Sequence, residues 1–196
     1  MARASAADAA LTAQRVLDSA AELFTHRGFA EVSLDDVARA AGVTRGAVYH
    51  HYRNKTGLFE AVAARLQQGV AEAVVAAAEA AGADPVDQLR AGSHAFLDAI
   101  TSGAAVRILL IDAPAVIGWQ EWRRLDEENS ATHLHEALRD AGVADEELSA
   151  ATVQLSGAMN EAALWIAQHE DPDTARQRSH AALDRLLTAF VPHHPG

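Results

Sequence analysis

From Val16 to Phe190 the apolar side chains recur at intervals of three and four, and no stretch alternates apolar and polar residues in the manner of a strand. That periodicity predicts an all-α chain. Val16, Leu17, Ala20, Ala21 and Phe24 form one face of a first helix, which Gly28 can end in the left-handed conformation while Phe29 packs back. Ser33-Leu34-Asp35-Asp36 is a capping-box pattern: the Ser33 hydroxyl serves the amide three residues on, and Asp36 reaches back. A short helix with Val37 and Ala38 inward follows, then the tight turn Ala41-Gly42-Val43. Thr44 is placed to cap another short helix, on which Val48 and Tyr52 share the inner face. Asn54 is the N-cap of a long helix that runs from Leu58, Phe59 and Val62 towards a break at Gly82 and Pro85.

Beyond that break the spacing predicts helices over 86–101, 104–112, 115–141, 146–169 and 173–190, with Pro114, Gly142 and Pro172 as punctuation. The total is about nine helices. They divide into a three-helix head, residues 1–56, and a larger body, residues 57–196. Disorder is expected only in the first few residues and in the tail from Pro192, which holds His193 and His194.

Charge separates the same two parts. The chain carries a net −11, which by itself speaks against nucleic acid as a partner. Residues 1–56, however, hold seven basic and six acidic side chains, a net +1, so the remainder carries −12. A near-neutral head with a basic edge on an acidic body suits a molecule of which only the head approaches phosphates. The absence of cysteine excludes disulfides and thiolate metal sites and fits a reducing cytoplasm. Asp8 and Arg15 interrupt the alanine-rich start, so no signal peptide is expected, and no apolar run reaches membrane-spanning length.

Two short helices around a glycine turn suit a helix-turn-helix, whose second helix must show a polar ridge to the major groove while its back packs on the protein. With Val48 and Tyr52 inward, Arg45, Tyr49 and Arg53 form an outer row beside Gly46 and His50. Arg45 can bond the guanine edge twice or a phosphate once, and Gly46 allows close approach of the backbone. Tyr49, His50 and Lys55 suit phosphate and methyl contacts. Lys55, the only lysine, falls in the first turn of the long helix, where amide dipoles also favour an anion.

The run Phe24…Gly28-Phe29…Ser33-Leu34-Asp35-Asp36-Val37-Ala38…Ala41-Gly42-Val43-Thr44-Arg45-Gly46-Ala47-Val48-Tyr49-His50-His51-Tyr52-Arg53-Asn54-Lys55…Leu58-Phe59 resembles the TetR family of bacterial repressors over about residues 11–62. The resemblance implies that Thr44, Arg45, Gly46, Tyr49 and His50 face operator DNA, that Lys55 holds phosphate, and that Ser33 caps its helix and contacts the DNA backbone. Leu34 and Asp35 depart from the pattern, which weighs against base contacts from the preceding helix.

The resemblance also implies an effector pocket in the body and a homodimer formed through the last two helices. Small residues such as Gly157, Ala158 and Ala162, and the stripe Leu183, Leu186, Leu187 and Phe190, agree with such packing, as they would with intramolecular packing. The segment 106–123, including Leu110, resembles body sequences of the family. Trp119 and Trp122, one turn apart, either wall a pocket for an apolar or aromatic effector or belong to an ordinary core. Arg107 and Asp112 either pair structurally or meet a polar group of the effector, the pair being favoured because a lone buried charge is costly. His94, Phe96, Met159, Asn160 and Trp165 are further pocket candidates. His133 and His135 stand two apart on different sides of a helix, so no metal site is expected there, and no cofactor is called for.

The function expected on these grounds is a cytoplasmic regulator of transcription, in which a small-molecule effector releases a dimeric repressor from double-stranded operator DNA. An effector-independent architectural DNA-binding protein is one alternative. A small helical enzyme is another, against which stands the lack of a nucleophile with a base at defined spacing, a phosphate loop or an HExxH motif.

Overall fold

The computed structural model describes residues 6–126 and 131–191, and among these every regular element is helical. In chain order the helices are α1 Ala6–Glu31, α2 Leu34–Ala41, α3 Arg45–Tyr52, α4 Lys55–Ala80, α5 Pro85–Ile100 and α6 Gly103–Ala105. A π-helical stretch, Val106–Asp112, comes next. After it lie α7 Ala113–Val116, α8 Trp119–Asp126, α9 Thr132–Asp140, α10 Asp145–Gln168 and α11 Pro172–Phe190. No single helix among the described residues is long and apolar enough to cross a membrane.

α1, α2 and α3 pack with the first turns of α4. The α4 helix then continues into the body and lies along α5, while α10 packs against α11, α9 and α5. Three rings seal the junction of α1 and α4: Phe24, Phe29 and Phe59 have centroids 5.1 to 5.9 Å apart, two of the three contacts edge to face. Phe24 and Phe59 are fully buried, each contributing roughly 1.5–3 kcal/mol by removal of apolar surface from water.

Gly28 leaves helical geometry, as expected, with φ 77° and ψ 165°, although a further helical turn carries α1 to Glu31. A neighbour from the body lies against it: a Cβ on Gly28 would collide with Arg107 Nη2, so the bare glycine lets that guanidinium settle on the end of α1. Arg107 Nε in turn lies 3.3 Å from Asp112 Oδ2, and the same carboxylate oxygen accepts from the Phe29 N–H at 3.0 Å. Arg107 and Asp112 thus form the structural pair and fasten the body to the end of α1.

Two of the expected helices need correction. The helix over 104–112 turns into a π-helix at Val106, and the reason lies downstream. The Ala113 N–H donates to Ile108 O, five residues back, which leaves Leu109 O to be met next. The residue in line is Pro114, which has no N–H. The Trp122 indole fills the gap, its Nε1–H donating to Leu109 O at 2.8 Å. The helix expected over 115–141 is interrupted as well. α7 stops at Val116 and α8 begins at Trp119, because Gly118 adopts φ 87°, a conformation in which no L side chain continues a helix easily.

Candidate nucleic-acid interface

Local side-chain chemistry fixes the geometry of α2 and α3. The Asp36 N–H donates to Ser33 Oγ at 3.1 Å while the Ser33 N–H donates back to Asp36 Oδ2 at 3.1 Å, so the capping box closes in both directions. The Ser33 hydroxyl also donates to Asp36 Oδ2, at 2.7 Å. These bonds from Ser33, with smaller help from Arg27 and Arg39, hold the Asp36 carboxyl below the usual carboxylate range. At the other end of α2, Gly42 turns the chain at φ 64° and Arg15 Nη2 donates to Ala41 O. Thr44 Oγ1 accepts from the Ala47 N–H at 3.2 Å and starts α3.

The α3 helix is amphipathic in the sense the groove requires. Val48 is fully buried, and Tyr52, on the same face, donates its hydroxyl to Ala13 O at 2.9 Å. The opposite flank is open: Thr44, Arg45, Gly46, Tyr49 and His50 are all exposed, Tyr49 to 63 %. Arg53 does not continue this row on the helix, since it leaves α3 at φ 63° as the C-cap residue. His51 is half-buried beside the rings of His50 and Tyr52.

Two charges have partners that sequence reasoning missed. Arg45 Nη1 lies 2.9 Å from Asp35 Oδ2 across the two helices, both side chains remaining largely exposed. Lys55 donates to Phe29 O at 2.7 Å and to Ala30 O at 3.2 Å, with its ammonium 4.2 Å from the centre of the Phe29 ring. It braces α4 against the end of α1, and a phosphate at this place would share the ammonium with those carbonyls. The departure of Asp35 from the family pattern was the available sign of the first contact. No sequence sign announces the second.

The body candidates scatter. Phe96 and Met159 line a cavity between α4, α5, α9 and α10. Trp122 does not, being 2 % exposed and spent on Leu109 O. The side chain of Trp119 lies outside the described residues, as does the tail from Pro192. Leu110 is buried in the core, and Arg107 sits at the α1 junction. His94 Nε2 lies 2.8 Å from Asp184 Oδ1, and its ring stacks on His180 at 4.2 Å between centroids, tying α5 to α11. Asn160 is buried on α10. Trp165 is half-exposed on α10 above a groove lined by Ala162, Ala182 and Leu186.

Residues 16–62 match the family model described as "Bacterial regulatory proteins, tetR family", and residues 86–190 match "Tetracyclin repressor-like, C-terminal domain". The transcriptional regulator SrpR of Pseudomonas putida is 49 % identical over 67 residues, 34 % of this chain and 32 % of that protein. The regulator AcrR of Shigella flexneri is 37 % identical over 90 residues, 46 % of this chain and 42 % of that one. The matches thus span about a third to two-fifths of these relatives. A crystal structure of a TetR-family transcriptional regulator from Pectobacterium atrosepticum superposes with a TM-score of 0.79 and 30 % identity, covering 97 % of this chain and 100 % of that one.

Proposed function

The chain belongs to the TetR family of bacterial transcriptional regulators, and from that premise we propose that it is a dimeric repressor that a small-molecule effector releases from operator DNA. The observation that carries the reading is α3: its apolar back is sealed at Val48 while Thr44, Arg45, Gly46, Tyr49 and His50 are exposed on the other flank. Arg45 reads a base edge or phosphate after leaving Asp35. That exchange is cheap, since an exposed ion pair is worth about 0–1 kcal/mol and a bidentate guanine contact about 1–3 kcal/mol. Ser33, at the exposed start of α2, contacts the DNA backbone, and Lys55 lends its charge from beside the end of α1.

Residues 1–56 form the DNA-binding unit and residues 57–196 the sensing and dimerising unit. The half-exposed Trp165 and Leu186, beside the groove between α10 and α11, support pairing through these two helices. Two heads joined this way reach successive major grooves roughly 34–36 Å apart. Coupling has a continuous path. α4 carries Lys55 and Asn54 at its start and lines the body cavity with Val74, Val75 and Ala78 near its end, so displacing its far end moves the head. The junction of Asp112 with Phe29 is a second link.

The test is selection of duplexes from a random pool by the purified full chain at moderate salt. The expected product is a palindrome whose half-sites lie about one helical turn apart. Arg45→Ala should then cost about 1–3 kcal/mol at one base position, or a sequence-blind loss if the contact is to phosphate. Recovery of unrelated sequences without symmetry would overturn the reading.

A further inference from the structure

The end of α4, the first turns of α5, α9 and the middle of α10 enclose a cavity of about 210 Å³. Its floor is apolar: Leu89, Phe96, Leu134 and Met159 are all buried. Two buried hydroxyls line it as well, Ser93 and Ser156, and Ser93 donates to Leu89 O at 2.7 Å, so it makes no demand on a guest. That volume lies below the roughly 300–1,000 Å³ of drug-sized sites, which restricts an occupant to one or two rings.

The mouth has the opposite character. Glu79, Glu136 and Asp140 line it, with His133, and no lysine or arginine among the described residues does. Asp140 lies 3.6 Å from Arg139 Nε, whereas Glu79 and Glu136 enter no ion pair among the described residues. Backbone dipoles add to the same sign. α4, which ends at Ala80, brings its carbonyl end, the negative pole, to this rim, whereas α9 lines the cavity from Ala131 to Asp140, so its two poles offset. The start of α5, a positive pole nearby, is already answered by Asp84, whose Oδ1 accepts from the N–H groups of Val86 and Asp87 at 2.8 and 3.1 Å.

We infer that this cavity takes a small hydrophobic cation: a one- or two-ring apolar group seated on Phe96 and Met159, with a protonated amine held at the rim by Glu136 and Glu79. An anion of the same shape meets repulsion at the mouth, and a neutral molecule leaves the mouth's field unused. The inference rests on the effector reading above and narrows the apolar or aromatic ligand to a cationic one.

The experiment titrates the DNA-free full chain by calorimetry with three probes of one skeleton: naphthylmethylamine, naphthalenemethanol and naphthoate. The amine should bind about tenfold tighter than the alcohol, the naphthoate should bind more weakly than either, and the amine's advantage should shrink as salt rises. The double variant Glu79→Gln/Glu136→Gln, at two exposed positions that leave the fold intact, should weaken the amine about three- to tenfold and spare the alcohol. Met159→Trp, which fills the floor, should remove both. Equal binding of amine and alcohol, amine binding indifferent to the double variant, or no binding by any probe at millimolar concentration would each overturn the inference. Release of the selected duplex is read separately by fluorescence anisotropy. Amine binding without release upholds the cationic site and overturns the effector reading instead.

Discussion

The stretch from Ser33 to Gly57 and the stretch from Thr101 to Asp126 are of similar length, yet they close their helix ends by different means. In the first, each helix start is capped by a side chain bonded to an amide three residues away: Ser33 to Asp36, Thr44 to Ala47 and Asn54 to Gly57. In the second, Ser102 at the start of α6 and Asp112 at the start of α7 make no such bond. Its polar groups are met from a distance instead, Leu109 O by the indole of Trp122 and the carboxylate of Asp112 by the backbone of Phe29. Local capping fixes the starts of α2, α3 and α4 without any partner from the body. Closure by remote partners makes the body segment dependent on how neighbouring elements sit, which suits the ligand-responsive part that the proposed function requires.

The sharpest way to break this contrast is to remove one remote partner. Trp122→Phe deletes the donor to Leu109 O and leaves a buried carbonyl unmet beside a Pro114 that cannot help, in a site also left underfilled. The expected cost is about 2–4 kcal/mol, read as a lowered urea midpoint at unchanged slope. A loss below about 1 kcal/mol would show that the carbonyl finds another donor, and the contrast would fail at its main example. The next effect has the opposite sign. Gln67 on α4 is 1 % exposed, and neither its Nε2 nor its Oε1 has a partner among the described residues. Gln67→Met, close in shape and free of that desolvation, should stabilise the chain by about 1–2 kcal/mol in the same titration.

The same contrast decides what could be read in advance. Ser33 with Asp36, Thr44 and Asn54 announce themselves because a cap and its amide are three residues apart, within the reach of a spacing argument. The outward flank of α3 follows from Val48 and Tyr52 in the same way. The role of Trp122 was not legible. It depends on a π-turn, on the missing N–H of Pro114 and on a partner 13 positions away, so Trp122 reads equally as pocket wall and as core. His94 reads as a pocket residue because nothing local reveals Asp184, 90 positions on. The break at Gly118 did have a sign, the glycine itself, outweighed by apolar periodicity on both sides of it. The cavity was half legible: Phe96 and Met159 belong to it, but nothing in the sequence singles out the acids at its mouth until α4 and α9 are placed together.

Within the capped region, Thr44→Ala removes the acceptor for the Ala47 N–H at the start of α3 and should cost about 1 kcal/mol. Thr44→Asn should restore most of it. If rigidity of the unit rests on such caps, Thr44→Ala also speeds amide exchange across α3 more than across α5, and uniform exchange would argue against local closure.

The smallest effect concerns the capping box and appears only in acid. Asp36 titrates below its ordinary value of about 3.8 because the folded chain presents the Ser33 hydroxyl and amide to the charged carboxylate. A carboxyl with a lowered pKa in the fold stabilises it fully above the unfolded value, and that contribution disappears as pH falls through the folded value. Asp36→Asn, which keeps the shape and loses the charge, should therefore melt lower than the parent at neutral pH. The gap should narrow below about pH 3.8 and close once Asp36 is protonated in both states. Since Asp36 lies near the surface and solvent screens its partners, the gap in melting temperature should be small next to that of Trp122→Phe. A gap that persists at the acid end would assign the benefit to the geometry of the box rather than to its charge, and the α2 cap would then resemble the neutral cap at Thr44.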